Sequence, residues 1–147
     1  MKEKSLENKV SLVTGGAGGI GSAVSKKLAE LGSTVYVNDI EGVHKTVDNI
    51  NEMYSKLRAF PAEYDISDKS NVREMFDEVL KKHGGVDILM NVAAVYGPLD
   101  KGRFTEISHK DFLDTIGVDL NGAVYCTIAA LKQMKKSGWG KILFTSA

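Results

Sequence analysis

Few features of this sequence mark a specialised class of protein. It has one cysteine, Cys126, so no intrachain disulfide can form, and a reducing compartment, the cytoplasm, is the expected setting. It has no excess of charge: 19 Lys and Arg balance 19 Asp and Glu. Without a basic stripe to track a phosphate backbone, nucleic acid is not an expected partner. No stretch approaches the roughly 20 apolar residues that a membrane helix needs. The opening Met-Lys-Glu-Lys-Ser-Leu-Glu-Asn-Lys is charged throughout, unlike the apolar core of a secretory signal. What remains is 147 residues, 43% hydrophobic and 26% charged, the composition of one soluble globular domain rather than of a disordered, collagenous or disulfide-stapled chain.

Two kinds of element alternate along it. Strands are expected at Lys9 to Thr14, Thr34 to Asp39, Arg58 to Tyr64, Val86 to Asn91 and Lys141 to Thr145. Between them run helical stripes: Ile20, Val24, Leu28 and Leu31, stopped by Gly32; then Val43, Val47, Ile50 and Met53 or Tyr54. A third helix, capped by Ser67 or Asp68, carries Val72, Met75, Phe76, Val79 and Leu80 and ends at Gly84 and Gly85. A long fourth helix opens at Ser108, with Asp111 three residues on, and continues through about Lys136. Strands separated by helices imply parallel pairing and a doubly wound α/β sheet. Pro61 cannot donate a ladder hydrogen bond, so the third strand belongs at an edge, which fits the order 3-2-1-4-5. One irregular stretch, Val95 to Ile107 with Gly97, Pro98 and Gly102, leaves the carboxyl end of strand four, the side on which such sheets bind ligands.

The segment Thr14-Gly-Gly-Ala-Gly-Gly-Ile-Gly21 joins the first strand to the first helix. A turn without side chains lets backbone N–H groups and the helix amino terminus approach a pyrophosphate, where the macrodipole favours negative charge. Its glycines satisfy three dinucleotide-binding spacings at once, so spacing alone names no subfamily. A triphosphatase phosphate loop is excluded, because Ser22-Ala23 follows Gly21 where that loop needs Lys then Ser or Thr. Asp39, at the end of strand two, is placed to accept hydrogen bonds from both ribose hydroxyls of an adenosine and to repel a 2′-phosphate. Neither Gly18 nor Ile40-Glu41 supplies a compensating cation, so NAD is expected rather than NADP.

In combination these features resemble the short-chain dehydrogenase/reductase family, in its single-domain branch, over essentially the whole chain. The motifs are the glycine turn, Asp65-Ile66, Val86-Asp-Ile-Leu-Met-Asn-Val-Ala-Ala94, Val118-Asp-Leu-Asn-Gly122 and Gly140-Lys-Ile-Leu-Phe-Thr-Ser146. The resemblance implies a Rossmann fold and hydride transfer between a nicotinamide cofactor and a small alcohol or carbonyl substrate. It implies a cofactor-binding set of Gly15, Gly18, Gly19, Ile20, Gly21, Asp39, Ile40, Asp65, Ile66, Asn91 and Ala93. Within that set Asp65 and Ile66 would flank the adenine, although Asp65 also suits an Asx turn, and Asn91 would steady the sheet as well as adjoin the cofactor. Ser146 matches the serine that hydrogen-bonds the substrate oxygen. Two departures stand out. Asn91-Val92-Ala93-Ala94 replaces Asn-Asn-Ala-Gly, and Asp119 stands where the family has an asparagine that helps hold a proton-relay water.

The family's proton-transferring pair is Tyr-x-x-x-Lys, and none of Tyr36, Tyr54, Tyr64, Tyr96 or Tyr125 has Lys four residues later. The pair would lie beyond Ala147, so the chain is expected to bind cofactor and to lack catalysis by itself. Strand five would then be an open edge, the isolated chain would tend to associate, and a full-length form would be a homo-oligomer. Alternatives are a non-catalytic dinucleotide-binding or scaffold protein, and a sugar-nucleotide epimerase suggested by Asp65-x-x-Asp68. His44, His83 and His109 have no metal-ligand spacing and read as solvated; no metal site is expected. Cys126 reads as a buried filler and Trp139 as a packing residue.

Overall fold

The computed structural model describes residues 5–95 and 103–146. Its strands are β1 (Val10–Thr14), β2 (Thr34–Asp39), β3 (Ala59–Glu63), β4 (Ile88–Asn91) and β5 (Lys141–Phe144). Its helices are α1 (Gly19–Glu30), α2 (Val43–Asn51), α3 (Lys69–His83), α4 (His109–Thr115) and α5 (Ala123–Ser137). All four strand pairings are parallel, in the order β3-β2-β1-β4-β5. The expected doubly wound sheet is therefore present, with Pro61 on the edge strand β3. Gly97, Pro98 and Gly102 of the expected irregular stretch, with Tyr96 and Ala147, lie outside the described residues. Among the described residues no helix is long and apolar enough to cross a membrane.

Alternation along the inner strands sorts the core into two layers. Leu12, Tyr36 and Leu89 face α3 and α5, where they meet Met75, Phe76, Cys126 and Ala130. Val13, Val35 and Val37 face α1 and α2, against Ala29, Val43, Val47 and Ile50. Both layers are closed at the middle of the sheet, and the fully buried valines and leucines there are what a strand covered on both faces requires. At the β5 edge Leu143 and Phe144 are 46% and 59% exposed, so this margin of the sheet is uncovered.

Four expectations need correction. The α1 stripe through Ile20 is not its buried face: Gly21, Ser25 and Ala29 are buried, Val24 and Leu28 are half-buried, and Ile20 is 67% exposed. At Gly21 the cause is the glycine turn, where a β-carbon would overlap the Gly15 carbonyl oxygen, while Ala29, two turns on, packs with Val13, Val35 and Val37. The long fourth helix is not uniform, because Ile116–Gly122 winds as a π-helical segment between α4 and α5. Such wider turns recur at functional sites. Leu80, expected in the buried stripe of α3, is 42% exposed, whereas after α2, which ends at Asn51, the expected choice between Met53 and Tyr54 falls to Tyr54, which packs on the core. Nor is His83 merely solvated. Its Nδ1 is hydrogen-bonded to the Tyr36 hydroxyl at 2.7 Å, and its ring lies against Phe60 at 4.9 Å between centroids.

Caps follow the sequence more closely. Asp68 is the α3 cap, accepting from the Ser70 and Asn71 amides at 2.7 and 3.3 Å, and the Ser70 hydroxyl, together with these amides, holds its carboxyl below the usual range. Ser108 caps α4 through the Asp111 amide. Trp139 packs beneath the Lys9 ammonium, 4.0 Å from the ring centroid.

Candidate functional site

The chain reverses direction across the sheet at β1, which lies between β2 and β4, so a crevice opens at the carboxyl ends of these strands. The glycine turn lines it. Gly15 sits at φ +63°, and a β-carbon there would come within 2.7 Å of the Ala93 Cα. Gly16 donates its N–H to the Asn38 carbonyl at 2.7 Å, and a β-carbon on it would meet the Val13 carbonyl at 2.8 Å. One at Gly21 would overlap the Gly15 carbonyl oxygen. These three glycines are demanded by the turn's own packing.

Gly18 and Gly19 are different. Nothing lies within 4 Å of a β-carbon at Gly19, and the nearest atom to one at Gly18 is 3.4 Å away. Their bareness leaves the amino terminus of α1 open. No side chain caps that helix, and the N–H groups of Gly19, Ile20 and Gly21 have no partner among the described residues. An uncapped helix end with three free donors is complementary to an anion by electrostatics and hydrogen bonding together. Ile20 contributes its amide here, since its side chain points to solvent.

Asp39 faces this turn across Ala17. Its Oδ2 accepts from the Ala17 N–H at 3.2 Å and its Oδ1 from the Ile40 N–H at 2.9 Å, so two backbone amides orient the carboxylate at the end of β2. The Ile40 side chain is 67% exposed. Asp65 forms the Asx turn, accepting from the Ser67 N–H and hydroxyl at 2.8 and 2.7 Å. Ile66 turns its side chain into the core, where a β-carbon on Gly122 would reach within 2.7 Å of its Cγ1. Thus Gly122 of the helical motif and Ile66 of the strand-three motif are packing partners.

The other half of the crevice is built from side chains. Asn91, 6% exposed, donates from Nδ2 to the Leu143 carbonyl at 3.5 Å, while its buried Oδ1 has no hydrogen-bond partner among the described residues. The Asn91 carbonyl accepts from the Thr145 N–H at 3.1 Å, which holds the end of β5 beside β4. Ser146 follows, exposed and without a partner among the described residues. Asp119, on the π-helical segment, accepts the Val95 N–H at 2.8 Å and so tethers the chain as it leaves β4.

Over residues 9–147 the sequence matches the family model described as short chain dehydrogenase. The chain belongs to that family. Among short-chain dehydrogenase relatives, it is 37% identical over 142 residues to an uncharacterized oxidoreductase, YuxG, of Bacillus subtilis, covering 94% of this chain and 20% of that protein. It is 33% identical over 147 residues to a 3-oxoacyl-acyl-carrier-protein reductase of Aquifex aeolicus, covering 99% of this chain and 58% of that one. It is 33% identical over 144 residues to a 3alpha-hydroxysteroid dehydrogenase of Mediterraneibacter gnavus, covering 97% and 56%. The chain thus spans a fifth of the first and little more than half of the other two.

Two contributors to the short-chain dehydrogenase crevice carried no role in the sequence. The Thr14 hydroxyl accepts the Val92 and Ala93 amides at 3.1 and 3.2 Å and donates to the Met90 carbonyl, clamping β4 to the glycine turn. Asn38 donates from Nδ2 to the Ala62 and Tyr64 carbonyls, both at 2.9 Å, and fixes the end of β2 against β3. A polar residue in the last two positions of a largely apolar strand was the available signal for both. A cavity of about 980 Å³ lies elsewhere, in the groove between α3 and α5, away from the glycine turn.

Proposed function

We propose that this chain is the NAD-binding portion of an oxidoreductase that moves hydride between a nicotinamide and an alcohol or carbonyl compound. The observation that carries the reading is the bare amino terminus of α1, with Asp39 held opposite it by the Ala17 amide. The fit is chemical: three free N–H donors suit a pyrophosphate, and a fixed carboxylate suits a vicinal diol. When bound, the nicotinamide gives or takes the hydride. The Gly19, Ile20 and Gly21 amides hold the pyrophosphate, Asp39 accepts from the adenosine ribose, and Asn91 and Ala93 border the cofactor at the end of β4. Ser146 donates a hydrogen bond to the substrate oxygen. The family's Tyr-x-x-x-Lys is not among these residues, so binding and orientation of the cofactor are the roles assigned to this chain.

Calorimetric titration with NAD and NADP tests the reading. NAD should bind at least about tenfold tighter, because a 2′-phosphate would face an oriented carboxylate. Asp39→Asn keeps an acceptor for Ala17 and should narrow the gap. Equal affinity for the two cofactors in the unaltered protein would sink the role given to Asp39, and binding of neither would sink the whole reading.

A further inference from the structure

At the amino ends of the strands, opposite the glycine turn, a buried cation meets a carboxylate from the segment that precedes β1. Arg58 is 4% exposed. Its backbone is fixed where the chain enters β3: Asn51, the last residue of α2, accepts from the Arg58 and Ala59 amides at 2.8 and 2.9 Å and donates to the Ala59 carbonyl. From there the guanidinium reaches the end of α1. Its Nη1 donates to the Gly32 carbonyl, and its Nη2 donates to both carboxylate oxygens of Glu7, at 3.3 and 3.2 Å. Among the described residues no other carboxylate pairs with Arg58.

The segment that brings Glu7 here is bent to do so. Asn8 has φ +64°, and among the described residues it is the one non-glycine residue in the left-handed region. Such a conformation persists where surrounding contacts impose it. Here the Leu6 N–H donates to the Leu31 carbonyl at 3.0 Å, the Lys9 N–H donates to the Leu6 carbonyl at 3.0 Å, and Glu7 accepts from Arg58 and, at 2.9 Å, from Lys56. The two cations are not equivalent. Lys56 is 61% exposed, so water can take the place of Glu7 around its ammonium. A guanidinium keeps its charge at every pH a protein survives, and a buried one stripped of its partner is costly.

We propose that residues 5–9 form a strap locked by charge: Glu7 on Arg58 holds it shut across the end of α1, and loss of that carboxylate opens it while the rest of the domain stays folded. Hydrogen bonds from Lys56 and then Arg58 hold the Glu7 carboxyl below the usual carboxylate range. The lock is therefore complete above that range and is lost as pH falls through the lowered value. Lys56 and Arg58, both from the segment between α2 and β3, are the charged groups that face Glu7 among the described residues; the end of α1 faces the strap with backbone carbonyls. The strap does not depend on the dinucleotide reading, because none of its residues belongs to the set assigned to NAD.

Amide hydrogen exchange at Leu6, compared with that of Val13 in β1, tests the strap. In the unaltered protein at pH 7 Leu6 should exchange faster than Val13, the mark of an opening smaller than global unfolding. Glu7→Gln keeps an acceptor oxygen and removes the charge, and it should raise Leu6 exchange by at least about tenfold; Lys56→Gln should change it by less than about threefold. With Arg58→Met already in place, Glu7→Gln should have no further effect beyond about twofold. An acid series needs no Arg58 variant to fold: corrected for the intrinsic rate, Leu6 protection in the unaltered protein should fall to the Glu7→Gln level as pH drops through the carboxylate range, while that of Glu7→Gln stays level. Leu6 exchanging in step with Val13, Lys56→Gln matching Glu7→Gln, or Glu7→Gln acting equally with and without Arg58 would each overturn the proposal.

Discussion

The two halves of the crevice are built by different means. On the β1 and β2 side, backbone meets backbone: Gly15 against Ala93, Gly16 bonded to Asn38, and Gly21 against Gly15. On the β4 and β5 side the chemistry rests on side chains, and two lack partners among the described residues: the buried Asn91 Oδ1 and the exposed Ser146. Backbone contacts leave no freedom to substitute, whereas side-chain sites tolerate change until a ligand must be held. The first half should therefore fail in folding when altered, and the second in binding or local order.

Glycine substitutions put the largest load on that contrast. Gly21→Ala places a methyl group on the Gly15 carbonyl, with only backbone to yield, and should cost more than about 3 kcal/mol, a large part of a domain's stability. Gly19→Ala has open space, so its melting temperature should match or slightly exceed that of the unaltered protein. Its methyl group occupies the approach to the α1 amino terminus, and NAD affinity should fall by about tenfold or more. Chemical denaturation of both variants, with NAD titration of the second, checks the pair. A tolerated Gly21→Ala, or a Gly19→Ala that binds NAD normally, would erase the distinction between packing glycines and ligand glycines.

Cys126 reports on the second half from below. It lies on α5, fully buried, and burial pushes its thiol up to about 12. In the folded protein at pH 8 it should label with a thiol reagent at least about a hundredfold more slowly than in denaturant, since both access and thiolate are lacking. The dependence of that residual rate on denaturant then separates two cases. If α5 opens only with the whole domain, the rate tracks global unfolding; if the uncovered β5 side opens by itself, labelling is faster than global unfolding allows. The contrast between the halves predicts the second case.

The same contrast explains what the sequence made legible. Parallel topology, the edge position of β3 and the glycine turn follow from local rules: buried apolar runs, a proline that cannot donate, and glycines between a strand and a helix. The buried face of α1 was misread because Ile20 and Leu31 continue a good helical stripe, whereas the contact of Gly21 with Gly15 turns the face of Gly21, Ser25 and Ala29 inward. The π-helical winding of Ile116–Gly122 has no periodic signature, and the contact between Gly122 and Ile66 joins residues far apart in sequence. Asn91, Asp119 and Ser146 could be singled out only by resemblance, because a lone polar side chain acquires meaning from what the fold sets beside it.

Asp119 gives the smallest and most discriminating effect. Its carboxylate accepts the Val95 N–H at 2.8 Å, but the residue is exposed, so water can replace the bond. Asp119→Ala should therefore cost only about 1 kcal/mol in chemical denaturation. Asp119→Asn retains an acceptor oxygen and restores the family's residue, so its stability should stay within about 0.5 kcal/mol of the unaltered protein. Amide hydrogen exchange at Val95 sharpens the comparison: protection should fall in the alanine variant and persist in the asparagine variant. Loss of Val95 protection in both would mean that the charge, rather than an acceptor at that position, holds the chain as it leaves β4. Protection in both would assign the tether to the surrounding backbone and make this part of the second half as self-sufficient as the glycine turn.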